Sequence, residues 1–460
     1  MEKTVLDYFY NLMQIPRESG NEEKVVDFLE QFAKNHNLNY VKDNFKNIVI
    51  TKNTSNKKPL ILQAHTDMVC VKEPYSKIDF SKDNIEPIIE GEFLKANGTS
   101  LGADNGIGLA MALKLLTEDL PMNVEAVFTS EEETTMFGAE NFDANLLKGK
   151  DFISLDGSKE SCIDVSSASM NDIEFELEDS LLVPASKNLY TISVSGLVGG
   201  HSGQDIDKNR GNAFALLANF LLMIEDVKLV DIDAKVKANV IPTFARAIFE
   251  TSFTAEQIQK LVEEYYQSIL YTFYAPKLKI EVQQANHLNS KVKVYANTQK
   301  VLQFVKRLKI GSLKEDEQAD VLLSANLYMI DIKNSKIGLS VRASVKTLEE
   351  NHLTTLQILA NSFNYKYCLK NYLPFFQYKP QSKLRDILIK THKEVYGYEP
   401  KQEKVHAGLE AGVFAQKIPD VDICVIAPAI YDLHSTTERV QLPSIERTYE
   451  WLKAIVKEFK

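Results

Sequence analysis

The sequence predicts an α/β protein interrupted by an α+β insertion, and three observations carry that prediction. Short apolar runs ending in polar residues, such as Leu60–Asp67 and Val124–Thr129, have the length and composition of buried strands. Amphipathic helical segments alternate with them up to Asp156, and this texture resumes from about Leu373. Between the two stretches the character shifts, around Leu181–Leu189, to alternating strands and helices that read as a separate unit.

In chain order, Val5, Leu6, Phe9 and Leu12-Met13 recur at helical spacing until Pro16 and Gly20 break the pattern. A second helix follows, with Asn21 as N-cap and Val25, Val26, Phe28, Leu29 and Phe32 as its apolar stripe. Tyr40-Val41 and Asn47–Thr51 are expected as short strands, and Asn53–Lys58 as a polar hairpin loop before the Leu60 strand. A strongly apolar helix runs from the glycine-rich segment Leu101–Gly108 to about Thr117, and buried strands are expected at Val124–Thr129 and Phe152–Leu155. In the insertion, strands are expected at Tyr190–Val198, Ala234–Val240, Ala245–Glu250, Lys277–Val282, Ala325–Ile332 and Lys336–Ser344. Its helices are expected at Asn212–Ile224, Ala255–Tyr271, Thr298–Leu308 and Leu348–Phe363. The last part holds helices Ser382–Val395 and Leu409–Gln416, a strand Ile423–Ala427 and a closing helix Ser444–Phe459.

At 460 residues the chain has room for two to four domains of roughly 100–200 residues each. A net charge of -10 argues against nucleic acid or an anionic membrane as partner, because both require clustered basic surface. The four cysteines are far apart and form no Cys-x-x-Cys, so neither a disulfide framework nor a zinc knuckle is expected. With no basic flank and apolar core at the start and no run of roughly 18 apolar residues, a cytoplasmic location is expected.

Polar residues collect where the apolar strands end. His65 and Asp67 lie two apart and so share one face of an extended chain. Asp104 sits in a turn that Gly102, Gly106 and Gly108 make sharp, without the spacing of a nucleotide loop. Glu131-Glu132-Glu133 follow one buried strand, Asp156 follows another, and His434 stands in a loop after a third. The carboxyl edge of an open α/β sheet is where ligands bind. Two imidazoles, several carboxylates and no thiolate suit zinc, manganese or cobalt, and one central carboxylate can bridge two ions.

These motifs resemble a known family. His65-Thr66-Asp67-Met68-Val69, Gly102-Ala103-Asp104-Asn105-Gly106-Ile107-Gly108, Phe128-Thr129-Ser130-Glu131-Glu132-Glu133, Gly199-Gly200-His201-Ser202-Gly203, His406-Ala407-Gly408-Leu409-Glu410 and His434-Ser435 are similar to those of peptidase D, the aminoacyl-histidine dipeptidases. The likeness runs in order from Ile15-Pro16 to Glu438-Arg439-Val440. It implies a catalytic domain with a mixed sheet flanked by helices, like that of zinc aminopeptidases, in residues 1–185 and 375–460, and an inserted lid in residues 186–374.

By that resemblance His65 and Asp156 bind one metal ion, Glu133 and His434 the other, and Asp104 bridges them. The two ions are expected to be zinc, with manganese and cobalt as alternatives. Asp67 orients His65, and Glu132 is the general base; choosing it over Glu131 and Glu133 rests on the motif alignment. On the lid, His201 stabilises the oxyanion, while Asn239 and Arg342 hold the C-terminal carboxylate of a dipeptide. Gly408 and Glu410 line the pocket. Departures from the family pattern at Thr134-Thr135, Gly157-Ser158 and Thr436 remove no ligand and bear on the preferred dipeptide. Two arrangements stay open for His201: it serves its own chain, or a homodimer forms through the lid. A tripeptidase, an N-acyl amino-acid deacylase and an inactive peptide-binding homologue are the alternative functions.

Overall fold

The computed structural model describes residues 3–55, 57–178, 181–285, 292–316 and 319–459; Asn56, within the loop expected over Asn53–Lys58, lies outside them. Two compact units divide the chain, one of Met1–Ser167, Phe375–Val405 and Leu409–Lys460, the other of Ala168–Pro374 and His406–Gly408.

The first unit is built on an eight-stranded mixed sheet. Its strand order is Asn39–Lys42, Ile48–Lys52, Val124–Thr129, Leu60–His65, Asp151–Ser154, Asp422–Val425, Cys162–Ser166 and Lys401–Lys404. The central strands Val124–Thr129, Leu60–His65, Asp151–Ser154 and Asp422–Val425 are parallel, so their C-terminal ends share one edge. Wholly buried runs such as LILQAH and VEAVFT are what a strand covered on both faces requires. The loop after Ile48–Lys52 is not the hairpin expected. That strand pairs antiparallel with Val124–Thr129, which separates it from Leu60–His65.

The helix Ala103–Thr117 is apolar around its whole circumference and is buried over nearly its full length. It packs against the N-terminal helix Val5–Met13 and the Leu60–His65 strand. Thr4 and Asp7 close a capping box at the start of Val5–Met13. The closing helix Leu442–Glu458 brings Trp451 into the core, where its indole N–H donates to Leu388 O at 3.0 Å. A small antiparallel sheet of Ile430–Tyr431, Arg439–Gln441, Phe93–Ala96 and Pro87–Glu90 completes the unit; none of its strands is marked by apolar alternation in the sequence.

The second unit is α+β. A four-stranded antiparallel sheet has the order Lys228–Asp233, Ala245–Thr251, Asn188–Ser195, Lys279–Gln284. A five-stranded one has the order Gly311–Glu315, Val321–Asp331, Lys336–Ala343, Met170–Leu177, Tyr365–Leu373. Helices Ala213–Leu221, Ala255–Ile269, Thr298–Arg307 and Lys346–Ser362 contribute to its core through residues such as Phe220, Ile258, Phe304 and Leu356. The unit begins at Ala168, earlier than the boundary expected after residue 185, because Met170–Leu177 is a central strand of the five-stranded sheet. The strand expected over Ala234–Val240 lies at Lys228–Asp233, with only Val240–Ile241 extended near its expected end.

Candidate metal centre

The parallel register sets His65 directly opposite Thr129, so the chain leaving each strand delivers its polar residues at the same level. His65 ends one strand, Glu132 and Glu133 begin a short helix after the next, and Asp156 follows the third. Asp104 arrives from the turn at the head of the buried helix, where Gly102 adopts φ +70°, and its peptide bond to Asn105 is cis. His434 comes from the connection between Ile430–Tyr431 and Arg439–Gln441 and holds φ +60°. Glu131, at φ +50°, makes the turn that aims Glu132 and Glu133. Non-glycine residues in the left-handed region are uncommon and cluster at functional sites.

Asp104 stands at the centre. Its Oδ1 lies 3.2 Å from His65 Nε2, which is also 3.4 Å from Asp156 Oδ1. Its Oδ2 lies 3.2 Å from His434 Nε2, which in turn is 3.0 Å from Glu133 Oε2. Ligand atoms of His65, Asp104 and Asp156 fall within 4.8 Å of one another, and so do those of Asp104, Glu133 and His434. The other oxygen of Glu133 is buried without a hydrogen-bond partner among the described residues, and a bound cation would satisfy it. Oxygen and imidazole donors in two triads sharing a carboxylate fit a pair of divalent ions.

Supporting groups fix these side chains. Asp67, fully buried, places Oδ1 3.3 Å from His65 Nδ1 and accepts the Ser19 hydroxyl at 2.7 Å. It also accepts the backbone N–H groups of Glu132 and Glu133, both at 3.1 Å, so one carboxylate braces the histidine and the glutamate turn together. Asn105 donates to Asp156 Oδ1 and to Leu155 O, holding that carboxylate from behind. Glu410 is buried, with Oε2 accepting from Thr129 Oγ1 at 2.6 Å and Gln63 Nε2 at 2.5 Å.

The electrostatics follow from burying so many acids together. Burial disfavours charge on His65, but the carboxylates of Asp156, Asp104 and Asp67 outweigh it and hold the imidazole pKa well above its usual range. Hydrogen bonds from His434 and His65 overcome burial at Asp104 and keep it ionised. Burial pushes Glu132 well up, with Asp156, Glu133 and Glu410 adding to the effect against the pull of His65. Glu410 is pushed up to about 8, again chiefly by burial. Carboxyls driven apart in this way are those suited to separate acid, base and ligand tasks.

The remaining residues expected at the site belong to the second unit. His201 Nδ1 accepts from the backbone N–H of Gly203 and Gln204, both at 3.2 Å, which leaves the ring proton on Nε2. Asn239 is exposed, and its carbonyl accepts the Ser202 N–H at 2.8 Å. Arg342 is 4% exposed, and no carboxylate among the described residues lies within ion-pair distance. Burial lowers its pKa to about 10, and its Nε lacks a hydrogen-bond partner among the described residues. The guanidinium donates from Nη2 to Met170 Sδ at 3.6 Å. His406, which carried no expected role, accompanies it: Nε2 is 2.7 Å from Ser324 Oγ, and burial followed by the charge of Arg342 holds its pKa at about 3. Gly408 packs under Leu373, where an added Cβ would meet Cδ2 at 2.1 Å.

Arg17, Ser19, Asn105 and Glu438 are the parts of the first unit's site to which the sequence assigned no role. Asn105 sits inside a quoted motif, and Glu438 at the end of the segment of likeness, but nothing local marks either as a support.

Comparison with known proteins agrees with this geometry. Over 470 aligned residues, 98% of this chain and 96% of the relative, the sequence is 30% identical to the cytosol non-specific dipeptidase of Escherichia coli (strain K12). The crystal structure of aminoacylhistidine dipeptidase from Vibrio alginolyticus superposes with a TM-score of 0.86 at 26% identity, covering 99% of this chain and 96% of that one. A tripeptidase from Staphylococcus aureus shares the fold at 14% identity and a TM-score of 0.59, over 100% of this chain and 98% of its own. The model of peptidase family M20/M25/M40 matches residues 61–458, and the chain belongs to that family.

Proposed function

We propose that the chain hydrolyses dipeptides, of the aminoacyl-histidine type, at a centre of two divalent ions. It is a peptide-bond hydrolase of the dipeptidase kind. The observation that carries the two-ion reading is Asp104, whose two carboxylate oxygens face two different histidines at 3.2 Å each. His65 and Asp156 would hold one ion, His434 and Glu133 the other, with Asp104 between them; zinc suits this donor set best, and manganese or cobalt are the alternatives.

When bound, the ions supply a polarised carbonyl and a water acidic enough to ionise near neutral pH. Glu132 takes the proton from the attacking water and returns it to the leaving nitrogen. Asp67 keeps His65 Nε2 directed at the ion. His201 donates from Nε2 to the developing oxyanion, and Arg342 with Asn239 takes the substrate's terminal carboxylate, so that a free C-terminus is required. Gly408 and Glu410 line the pocket, and His201 acts within its own chain or through a homodimer. The proposed location is the cytoplasm; no helix among the described residues is long and apolar enough to cross a membrane.

Metal content by mass spectrometry of the purified protein tests this reading. Two ions per wild-type chain and fewer in Asp104→Asn are expected. Equal content in both would remove the bridge. A panel of dipeptides, tripeptides and N-acyl amino acids then fixes the substrate class, with turnover of dipeptides alone expected.

A further inference from the structure

Arg17 and Glu438 are both 2% exposed, and neither is accounted for by the ligand set. The Arg17 guanidinium donates from Nη1 to Asp67 O at 2.9 Å and Thr66 O at 3.2 Å, and from Nη2 to Gly102 O. One side chain thus joins the exit of the His65 strand to the turn that presents Asp104. Glu438 meets the same turn from the other side. Its Oε2 accepts the N–H of Leu101 at 2.7 Å and of Gly102 at 2.9 Å, and its Oε1 accepts the N–H of Asp104 at 3.2 Å.

Gly102 is therefore held at its carbonyl by a cation and at its N–H by an anion. The packing leaves no slack: a Cβ on Gly102 would lie 2.5 Å from Arg17 Nη2, and one on Gly106 would lie 2.7 Å from the same atom. Two of the three glycines in the Asp104 motif thus make room for Arg17. Glu438 lies four residues beyond His434, so the three segments that carry His65, Asp104 and His434 meet on this pair.

We propose that Arg17 and Glu438 are positioning residues that clamp the three ligand-bearing segments and so set the separation of His65, Asp104 and His434 across the metal centre. The inference rests on the two-ion reading above. Charge-assisted bonds to backbone groups are stronger than neutral ones, and the guanidinium fork reaches two segments at once, which a lysine ammonium cannot reproduce.

The test compares wild type, Arg17→Lys and Glu438→Gln. Each protein is stripped of metal, melted, and titrated with cobalt(II) while the visible absorption of the bound ion is recorded. Loss of groups that orient ligands typically lowers metal affinity about 10–100-fold. A weakening of that size is expected in both variants, with an altered cobalt spectrum, an apo melting transition that is lowered but still cooperative, and a fall in kcat with KM hardly moved. Wild-type affinity and spectrum in both variants would overturn the clamp while leaving the two-ion reading intact. Variants without an apo melting transition would also overturn it, making the pair a folding determinant. A wild-type protein that takes up no cobalt would overturn the two-ion reading and the clamp with it.

Discussion

Replacing Asp67 by Asn removes a charge without changing shape, and the structure says what must follow. Oδ1 serves His65 Nδ1 and the N–H of Glu132; Oδ2 serves the Ser19 hydroxyl and the N–H of Glu133. Asparagine offers one acceptor oxygen. Whichever way its amide turns, the NH2 group faces one of the two glutamate N–H groups, and that buried donor loses its acceptor. An orphaned buried donor costs about 1–3 kcal/mol, and the surviving bonds lose their charge assistance, so a destabilisation of about 2–3 kcal/mol is expected. The chain's single tryptophan makes this measurable, because Trp451 is buried in the core of the same unit. Urea unfolding of the metal-free protein followed by Trp451 fluorescence reports that unit's stability. Metal titration reports the second consequence, a loss of affinity of about 10–100-fold as the carboxylate charge behind His65 is removed, its Nδ1 keeping only the Asp67 carbonyl oxygen at 3.1 Å as a fixed partner. A stability change below about 0.5 kcal/mol, the range of an ordinary surface substitution, together with unchanged affinity, would refute the role given to Asp67.

Glu132→Gln is expected to keep both ions, measured by mass spectrometry, and to lose about 10²–10⁴-fold in kcat; retained turnover would move the base to another group. Gly108→Ala would place a Cβ 2.2 Å from Asn105 Oδ1 and 2.6 Å from Leu155 O, so about 1–3 kcal/mol of stability should be lost in the same fluorescence assay. Away from the centre, burial and then Glu403 raise Asp164 from 3.8 to about 7. An acid whose pKa is higher folded than unfolded destabilises the fold increasingly as pH rises through that interval, and the full penalty applies above it. Asp164→Asn should therefore be neutral near pH 4 and stabilising at pH 8, by about 1–2 kcal/mol once the partial exposure of the carboxyl is allowed for, as read from urea midpoints at the two pH values.

The ligands were legible because buried parallel strands advertise themselves as apolar runs, and the residue just past each run falls at the sheet's carboxyl edge. His65, Asp156 and the glutamates after Thr129 are of this kind. Periodicity could not say which strands are neighbours: the polar stretch before Leu60 read as a hairpin, whereas Ile48–Lys52 pairs with a strand over 70 residues later. The same blindness misplaced the start of the second unit, since the sheet that Met170–Leu177 joins is decided by partners at Lys336–Ala343 and Tyr365–Leu373. The supports were hidden for a related reason. Arg17 acts on Gly102 across 85 positions and Glu438 on Leu101 across 337, so no local pattern relates donor to acceptor.

The central claim, that two ions held around Asp104 make this chain a dipeptidase, is tested most directly by removing and restoring them. Protein stripped by a chelator should be inactive on a dipeptide panel and should regain activity on addition of zinc, manganese or cobalt, with uptake saturating at two ions per chain. Activity that survives stripping, or that returns with none of these ions, would contradict it.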